Sequence, residues 1–197
     1  MIECIMKIIL ASSSVYRRAL LERLKLDFEV MAPDIDEDSL PEESGQELAC
    51  RLAEQKAQAV AGLLNAPANC VIIGSDQVAE ANGEMLGKPL TEERAVAQLM
   101  RLSGQMVTFH TAMAVMANSE ISASYVPTTI QMRSLSTEEV ARYVAQDQPL
   151  HCAGAMKTES LGISLMQSFS SDDPTAIIGL PLIALSQKLR DLGFHLP

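Results

Sequence analysis

The sequence predicts a mixed α/β (α+β) fold, in which helices flank a mixed central sheet. In the first half, short apolar segments alternate with segments of helical periodicity, as in strand–helix units. In the second half, two long β-rich stretches, residues 106–116 and 121–133, are joined by a turn at 118–120 and indicate a hairpin. Together these two patterns favour one sheet with mixed strand directions.

Composition and charge narrow the class of protein. With 197 residues and 48% hydrophobic content, the chain can bury a full core, as a single domain over residues 1–197 with two closely joined lobes. A net charge of −10 argues against a nucleic-acid surface, which needs a basic face. No signal peptide and no apolar run of membrane-spanning length is expected. The cysteines show no paired spacing, which favours reduced thiols in a cytoplasmic protein; they are Cys4, Cys50, Cys70 and Cys152.

The first strand and helix are predicted at residues 8–11 and from residue 14 to about 25. An apolar run is broken by three serines, of which Ser14 suits the N-cap, and three leucines then recur on one helical face. Arg17 shares this inward face, whereas Arg18 is expected to be solvated. An arginine in the first turn opposes the helix dipole by about 0.3–1 kcal/mol. Backbone N–H groups, serine hydroxyls and arginine at one helix start together favour an anion site.

The second helix is predicted to begin at the capping box of Ser44 and Glu47 and to extend to about residue 64. An acidic loop at residues 34–38 precedes it. Lys56 falls on the apolar stripe of this helix, where a lysine would normally be replaced or would extend its ammonium group to solvent.

Asp76 follows a strongly apolar strand, residues 70–73, at a position where α/β proteins place ligand chemistry. The Asn82-Gly83 pair then predicts a tight turn between strands at 78–80 and 84–86. Caps and periodicity predict the remaining elements, which are strands at 28–31 and 163–169 and helices at 91–102, 136–145 and 182–192.

Three cations and two carboxylates of the first half point to phosphate and metal chemistry. Arg17, Lys56 and Lys88 break local patterns or lie in turns, and several cations suit the negative oxygens of a polyphosphate. Glu37 and Asp76 lie near strand ends, and carboxylates suit a divalent metal such as Mg²⁺. Neither set is specific alone, since an acidic loop is also typical of a solvated turn. Together they predict metal-assisted phosphoryl chemistry on a nucleotide.

Six short blocks, in order along nearly the whole chain, form a recognisable set. They are Ala11-Ser12-Ser13-Ser14-Val15-Tyr16-Arg17-Arg18, the Glu37 loop, Lys56-Ala57, Gly74-Ser75-Asp76, Gly87-Lys88-Pro89 and Gly179-Leu180-Pro181. This set resembles the Maf family of nucleoside triphosphate pyrophosphatases, once associated with septum formation. The resemblance implies an elongated fold related to inosine triphosphatases, with two lobes around a cleft and, in many members, a homodimer. Val15 departs from the pattern, because the family usually has proline there.

The resemblance also implies roles for individual residues. The triphosphate would be held by Ser12, Arg17, Lys56 and Lys88. Glu37 and Asp76 would hold a divalent metal, Mg²⁺ or Mn²⁺, and Asp76 would accept a proton from the attacking water. Attack on the α-phosphorus would release pyrophosphate and a nucleoside monophosphate, as the metal and cations neutralise developing charge.

Base preference is expected to depend on Tyr16, Gln77 and Glu159, which resemble the branch of the family that prefers 7-methyl-GTP. Methylation makes the guanine ring cationic, so the Tyr16 face would attract it by a cation–π contact of about 1–2 kcal/mol if desolvated. A Glu159 carboxylate would accept two N–H bonds from the Watson–Crick edge of guanine. The branch more typically has tryptophan at the Tyr16 position.

Three alternatives stay open at this point. The same chemistry on dTTP and UTP, or on modified nucleotides more broadly, is the nearest. A non-catalytic regulator of cell division would suit the acidic surface but would leave Lys56 on an apolar stripe without a purpose. A nucleic-acid-binding module is disfavoured by charge and by the absence of binding motifs.

Overall fold

The computed structural model describes residues 6–64 and 69–197. The predicted reduced thiol at Cys4 lies outside the described residues. Within them, the regular elements in chain order are β1 (Lys7–Ala11), α1 (Val15–Glu22), β2 (Phe28–Val30), α2 (Gly45–Leu63), β3 (Cys70–Ala81), β4 (Glu84–Leu86), α3 (Glu92–Leu102), β5 (Met106–Ala117), β6 (Glu120–Met132), α4 (Thr137–Asp147), β7 (Met166–Ser171) and α5 (Leu182–Asp191).

The strands form one sheet of mixed direction, as predicted. Its order is β2-β1-β3-β5-β6-β7, with β4 paired to β3 outside this path. β1 runs parallel to both β2 and β3, whereas the β3–β4 and β6–β7 pairs are antiparallel. The parallel pairs arise in the strand–helix half of the sequence, because a crossover helix separates each strand from its partner.

Helix starts follow the caps that the sequence indicates. Ser14, Ser44, Thr91 and Ser136 each accept a hydrogen bond from a backbone N–H group three residues later, and Ser44 and Ser136 form complete capping boxes. α1 is shorter than predicted and ends at Glu22 rather than near residue 25. Lys25 adopts a left-handed conformation at φ +55°, which cannot continue a right-handed helix.

The strand before Asp76 is longer than predicted. The sequence suggested a break at residues 74–77, yet β3 continues through them to Ala81. Gly74 pairs with Ala11 in the parallel β1–β3 ladder, so this glycine lies inside a strand and not in a turn. The predicted Asn82-Gly83 turn and the β3–β4 hairpin are confirmed, with φ values of +53° and +77° at the two turn residues.

Contacts between residues divide the chain into two compact units. The first unit contains the described residues up to Asp76, together with Thr111–Val126 and Asp173–Pro197; the second contains Gln77–His110 and Pro127–Asp172. The expectation of a single domain with two lobes around a cleft stays a prediction.

The core of the first unit is aliphatic. Alternate residues of β1 and β3, including Ile8, Leu10, Val71 and Ile73, pack with leucines of α1 and α5 and are almost completely buried. This packing joins α1 and the first part of β3 within one unit. Among the helices that the structure describes, none is both long and apolar enough to cross a membrane.

Candidate active site

Four of the predicted site residues meet in the first unit, from four different segments. Arg17 lies in the first turn of α1, Lys56 in the middle of α2 and Asp76 in β3, while Glu37 lies in the loop between β2 and α2. Lys56 Nζ is 2.6 Å from Asp76 Oδ1 and 2.6 Å from Glu37 Oε1. Arg17 Nη2 is 3.8 Å from Asp76 Oδ1. The cluster therefore alternates positive and negative groups around Asp76.

Lys56 does not extend to solvent. It is 5% exposed and lies on the same buried face of α2 as Leu52, Ala53 and Val60. A lone ammonium group at such a position would carry a large desolvation cost, and two carboxylates at hydrogen-bond distance offset it. The Lys56 ammonium group is therefore directed to the buried Asp76 carboxylate and not to solvent, and its triphosphate role stays a prediction.

Gly74 explains how Lys56 and Asp76 come so close. A Cβ atom at Gly74 would lie 2.1 Å from the Ala53 carbonyl oxygen and 2.8 Å from the Ala57 nitrogen, so the backbone of α2 packs directly on β3. Lys56 lies in the turn of α2 that touches Gly74, and Asp76 lies two residues along the strand, on the same face. Because Gly74 has no side chain, α2 and β3 pack closely enough for Lys56 and Asp76 to come into contact.

Arg17 is held by the segment that leads into α5. Its Nε donates to the Gly179 carbonyl oxygen at 2.9 Å, and its side chain is 14% exposed. The Ser75 hydroxyl lies 2.9 Å from the same oxygen and 2.7 Å from the carbonyl oxygen of Ala112. Gly179 adopts φ +119°, a conformation that favours glycine. The guanidinium group is thereby fixed beside Asp76.

Serines shape the segment between β1 and α1. The Ser12 hydroxyl, which is buried, accepts a hydrogen bond from the Ser14 backbone N–H at 3.1 Å, and the Ser14 hydroxyl accepts one from the Arg17 N–H at 3.3 Å. Arg18 is exposed and pairs with Glu22 on the outer face of α1, as predicted. The start of α1 thus joins serine hydroxyls and backbone N–H groups to Arg17.

The four remaining predicted site residues are distributed over both units. Tyr16 is half-buried in α1 of the first unit. In the second unit, Gln77 is half-buried in β3, Lys88 is exposed after β4, and Glu159 is exposed in the segment between α4 and β7. The triphosphate, metal, catalytic and base-recognition roles all stay predictions, both for these four residues and for Ser12, Arg17, Glu37, Lys56 and Asp76.

The structure also identifies supporting residues that sequence reasoning missed. The Gly179 carbonyl oxygen accepts hydrogen bonds from both Arg17 and Ser75, and Arg51 of α2 binds the loop that carries Glu37. No local signal marks Arg51, because its carboxylate partner Glu43 lies eight residues away and outside the helix. Gly179 lies in a family block, but its carbonyl group has a role that only a contact 162 residues away reveals.

Glu37 and Asp76 are the residues of the cluster that fit a divalent metal. Their carboxylate oxygens each lie 2.6 Å from one nitrogen, so they are no further apart than twice that distance. Mg²⁺ commonly takes one or two carboxylates and completes its shell with substrate phosphates and water. Within residues 6–64 and 69–197, no three His, Cys, Asp or Glu side chains form a metal-binding group. A divalent metal at this cluster would have the two carboxylates as its protein ligands.

Comparison with known proteins gives close relatives over the full length. A protein named 7-methyl-GTP pyrophosphatase from Aromatoleum aromaticum is 51% identical over 193 residues, which cover 97% of this chain and 98% of that protein. A protein of the same name from Xanthomonas axonopodis pv. citri is 48% identical over 191 residues, with 97% and 99% covered.

A solved structure supports the fold. The Ham1 protein of Staphylococcus aureus matches with a TM-score of 0.53 at 15% sequence identity, over 94% of this chain and 99% of that chain. The predicted mixed α/β fold is confirmed by this similarity and by the sheet itself. The family profile described as Maf-like protein matches residues 7–192. Since the profile spans every element from β1 to α5, the chain belongs to the Maf family.

Proposed function

We propose that the chain is a nucleoside triphosphate pyrophosphatase that hydrolyses 7-methyl-GTP to 7-methyl-GMP and pyrophosphate. The observation that carries the proposal is the cluster of Arg17, Glu37, Lys56 and Asp76, with Asp76 between two cations. The names of the relatives from Aromatoleum aromaticum and Xanthomonas axonopodis support the same reaction and substrate. The activity would remove a modified nucleotide from the cytoplasmic pool.

Asp76 is assigned as the proton acceptor. One of its oxygens binds Lys56 and faces Arg17, which holds the carboxylate in a fixed orientation. Its second oxygen would accept a proton from the water that attacks the α-phosphorus. The P–O bond to the β-phosphate then breaks, and pyrophosphate leaves with the electron pair. A positioned base of this kind contributes about 10²–10⁴-fold to a rate.

The cations are assigned to the triphosphate. Arg17 and Lys56 lie beside the proposed base, and Ser12 lies in the loop before α1, where backbone N–H groups bind anions well. Lys88 would add a further positive charge. Fixed positive groups stabilise the charge that develops on phosphate oxygens during the reaction. A divalent metal, when bound, would neutralise more of this charge, with Glu37 and Asp76 as its protein ligands.

Base recognition is assigned to Tyr16, Gln77 and Glu159. An aromatic face favours the cationic ring of 7-methylguanine, and a carboxylate favours the paired N–H donors of guanine. A pyrimidine has no such donor pair. These three residues decide which nucleotide is the substrate, whereas the reaction itself depends on Asp76 and the cations.

The test measures pyrophosphate release from 7-methyl-GTP, GTP, dTTP, UTP and inosine triphosphate, first with Mg²⁺ and then with a chelator. We expect hydrolysis that requires the metal and is fastest with 7-methyl-GTP. Faster hydrolysis of dTTP or UTP would keep the chemistry and overturn the base assignment. Failure to hydrolyse any of the five nucleotides would overturn the proposal and favour a non-catalytic role in cell division.

A further inference from the structure

The loop that carries Glu37 has little structure of its own. Residues 31–44 contain neither helix nor strand and separate β2 from α2. The Glu37 side chain is 52% exposed, so burial does not fix its position. A connection of this length is uncommon in a compact domain, and when it serves a function it is held by specific contacts.

Arg51 supplies three such contacts from α2 and a fourth hydrogen bond within that helix. Its Nη2 donates to the carbonyl oxygen of Asp38, the residue after Glu37, at 2.9 Å. Its Nε and Nη2 bind the two carboxylate oxygens of Glu43 at 2.6 and 2.8 Å, and its Nη1 donates to Gln55 at 3.2 Å. One guanidinium group therefore joins both the centre and the end of the loop to the helix that carries Lys56.

The Glu43 carboxylate is itself strongly held. The hydrogen bonds from Arg51, supported by the Leu40 backbone N–H, lower the pKa of Glu43 from 4.5 to about 2. The Asp36 side chain accepts a hydrogen bond from the Asp38 N–H and forms a turn around Glu37. Glu37 thus lies within a local turn, and the loop on its C-terminal side is bound by Arg51. We call the hydrogen bonds of Arg51 to Asp38 and Glu43 the Arg51 clamp.

We propose that Arg51 is a positioning residue that places Glu37 for the divalent metal, with Glu43 as its anchor. The inference rests on the proposed function, because Glu37 is assigned there as a metal ligand. Direct binding of phosphate by Arg51 is the competing role. The contacts to Glu43, Asp38 and Gln55 use four of its five N–H groups. The guanidinium group therefore has only one N–H left to donate to a phosphate.

Three variants separate the two roles: Arg51→Met, Glu43→Gln and the double variant. Arg51→Met removes the clamp and the charge, whereas Glu43→Gln weakens the clamp and keeps the charge. If Arg51 positions Glu37, both single variants lose Mn²⁺ affinity, measured with the metal alone, by about 10- to 100-fold. The double variant should then bind Mn²⁺ no more weakly than whichever single variant has the lower affinity, because the two residues act as one unit.

Two further readouts accompany metal binding. Hydrogen exchange of the amide groups in residues 36–43 should accelerate in both single variants. The Mg²⁺ concentration for half-maximal hydrolysis should rise, while kcat at saturating Mg²⁺ largely recovers. Arg101→Met is the matched control, since Arg101 pairs with Glu84 at an exposed position of the second unit. It should leave all three readouts unchanged.

The outcomes distinguish this inference from the proposed function. A Glu43→Gln variant with wild-type Mn²⁺ affinity and exchange rates, beside an impaired Arg51→Met variant, would overturn the positioning role and support direct phosphate binding. If the wild-type protein hydrolyses no nucleotide, the proposed function fails. In that case Mn²⁺ affinity and hydrogen exchange still decide whether Arg51 positions Glu37.

Discussion

Lys56 is the residue on which the charged cluster depends. Its ammonium group is almost completely buried and binds one buried and one half-exposed carboxylate. Removing one partner from such a group leaves uncompensated charge in a poorly solvated place, which is why buried pairs are costly to break. The ion pairs of Lys56 with Asp76 and Glu37 join the three side chains before any ligand binds.

Replacing Lys56 with Met should therefore destabilise the protein. We expect the free energy of unfolding, measured by urea denaturation, to fall by about 3–5 kcal/mol, because Asp76 loses its closest cation. The double variant Lys56→Met, Asp76→Asn should regain part of this loss, since asparagine carries no charge. A Lys56→Met protein as stable as wild type would contradict the burial argument.

Asp76→Asn tests the catalytic assignment, and urea denaturation of the same variant measures the stability lost when the buried Lys56 loses this partner. Asp76→Asn should lower kcat for 7-methyl-GTP by about 10²–10⁴-fold, because the amide cannot accept the proton, while KM changes far less. Pyrophosphate release measures both constants. Asp191→Asn, at an exposed position at the end of α5, is the control. Near wild-type turnover by Asp76→Asn would remove Asp76 from the mechanism.

At the scale of elements, the contact between α2 and β3 sets the site. Gly74→Ala would place a methyl group 2.1 Å from the Ala53 carbonyl oxygen, so the helix must move away from the strand. We expect a loss of about 1–3 kcal/mol in the free energy of unfolding, together with reduced hydrolysis, because Lys56 moves with the helix.

A control for Gly74→Ala lies in α2, the helix that packs on Gly74. At Gly62, a Cβ atom would meet no atom within 4 Å, so Gly62→Ala should be neutral or stabilise the protein by up to about 1 kcal/mol. Urea denaturation of both variants gives the comparison. Equal effects of the two substitutions would show that close helix–strand packing at Gly74 is not the cause.

The loop before α2 should respond to acid. The pKa of Glu43 is 4.5 without its partners and about 2 in the folded protein, where Arg51 binds the carboxylate. A pKa lowered by folding contributes stability that is present above pH 4.5 and is lost as the pH falls toward 2. The stability difference between wild type and Glu43→Gln should thus be constant from pH 7 to about 5 and shrink below pH 4.5. A difference independent of pH over this range would contradict the Arg51–Glu43 contact.

At the scale of the whole molecule, the proposed base preference depends on Tyr16, Gln77 and Glu159. Tyr16 belongs to the first unit, and Gln77 and Glu159 belong to the second. Glu159→Gln should lower the kcat/KM preference for 7-methyl-GTP over UTP by about tenfold or more, since a paired acceptor is lost. Glu138→Gln, exposed on α4, is the control. Unchanged selectivity in Glu159→Gln would count against the base assignment.

Much of the fold was predictable because its signals are local. The caps at Ser14, Ser44 and Ser136 act over three residues, and each helix begins where they indicate. The Asn82-Gly83 turn is equally local. The error at residues 74–77 arose because a glycine inside a strand and a glycine in a turn have the same sequence signal, and only the neighbouring helix distinguishes them.

By itself, the sequence determined the order of most strands and helices, the family, and the four charged residues that meet in the cluster, because these depend on periodicity, caps and short motifs. The tertiary structure alone decided which groups meet. It joined Lys56 to Asp76 across 20 residues, Arg17 to Gly179 across 162, and Arg51 to the loop that carries Glu37. Such contacts depend on how closely two backbones pack, and this distance is set by the side chains on both surfaces together, which no local pattern contains.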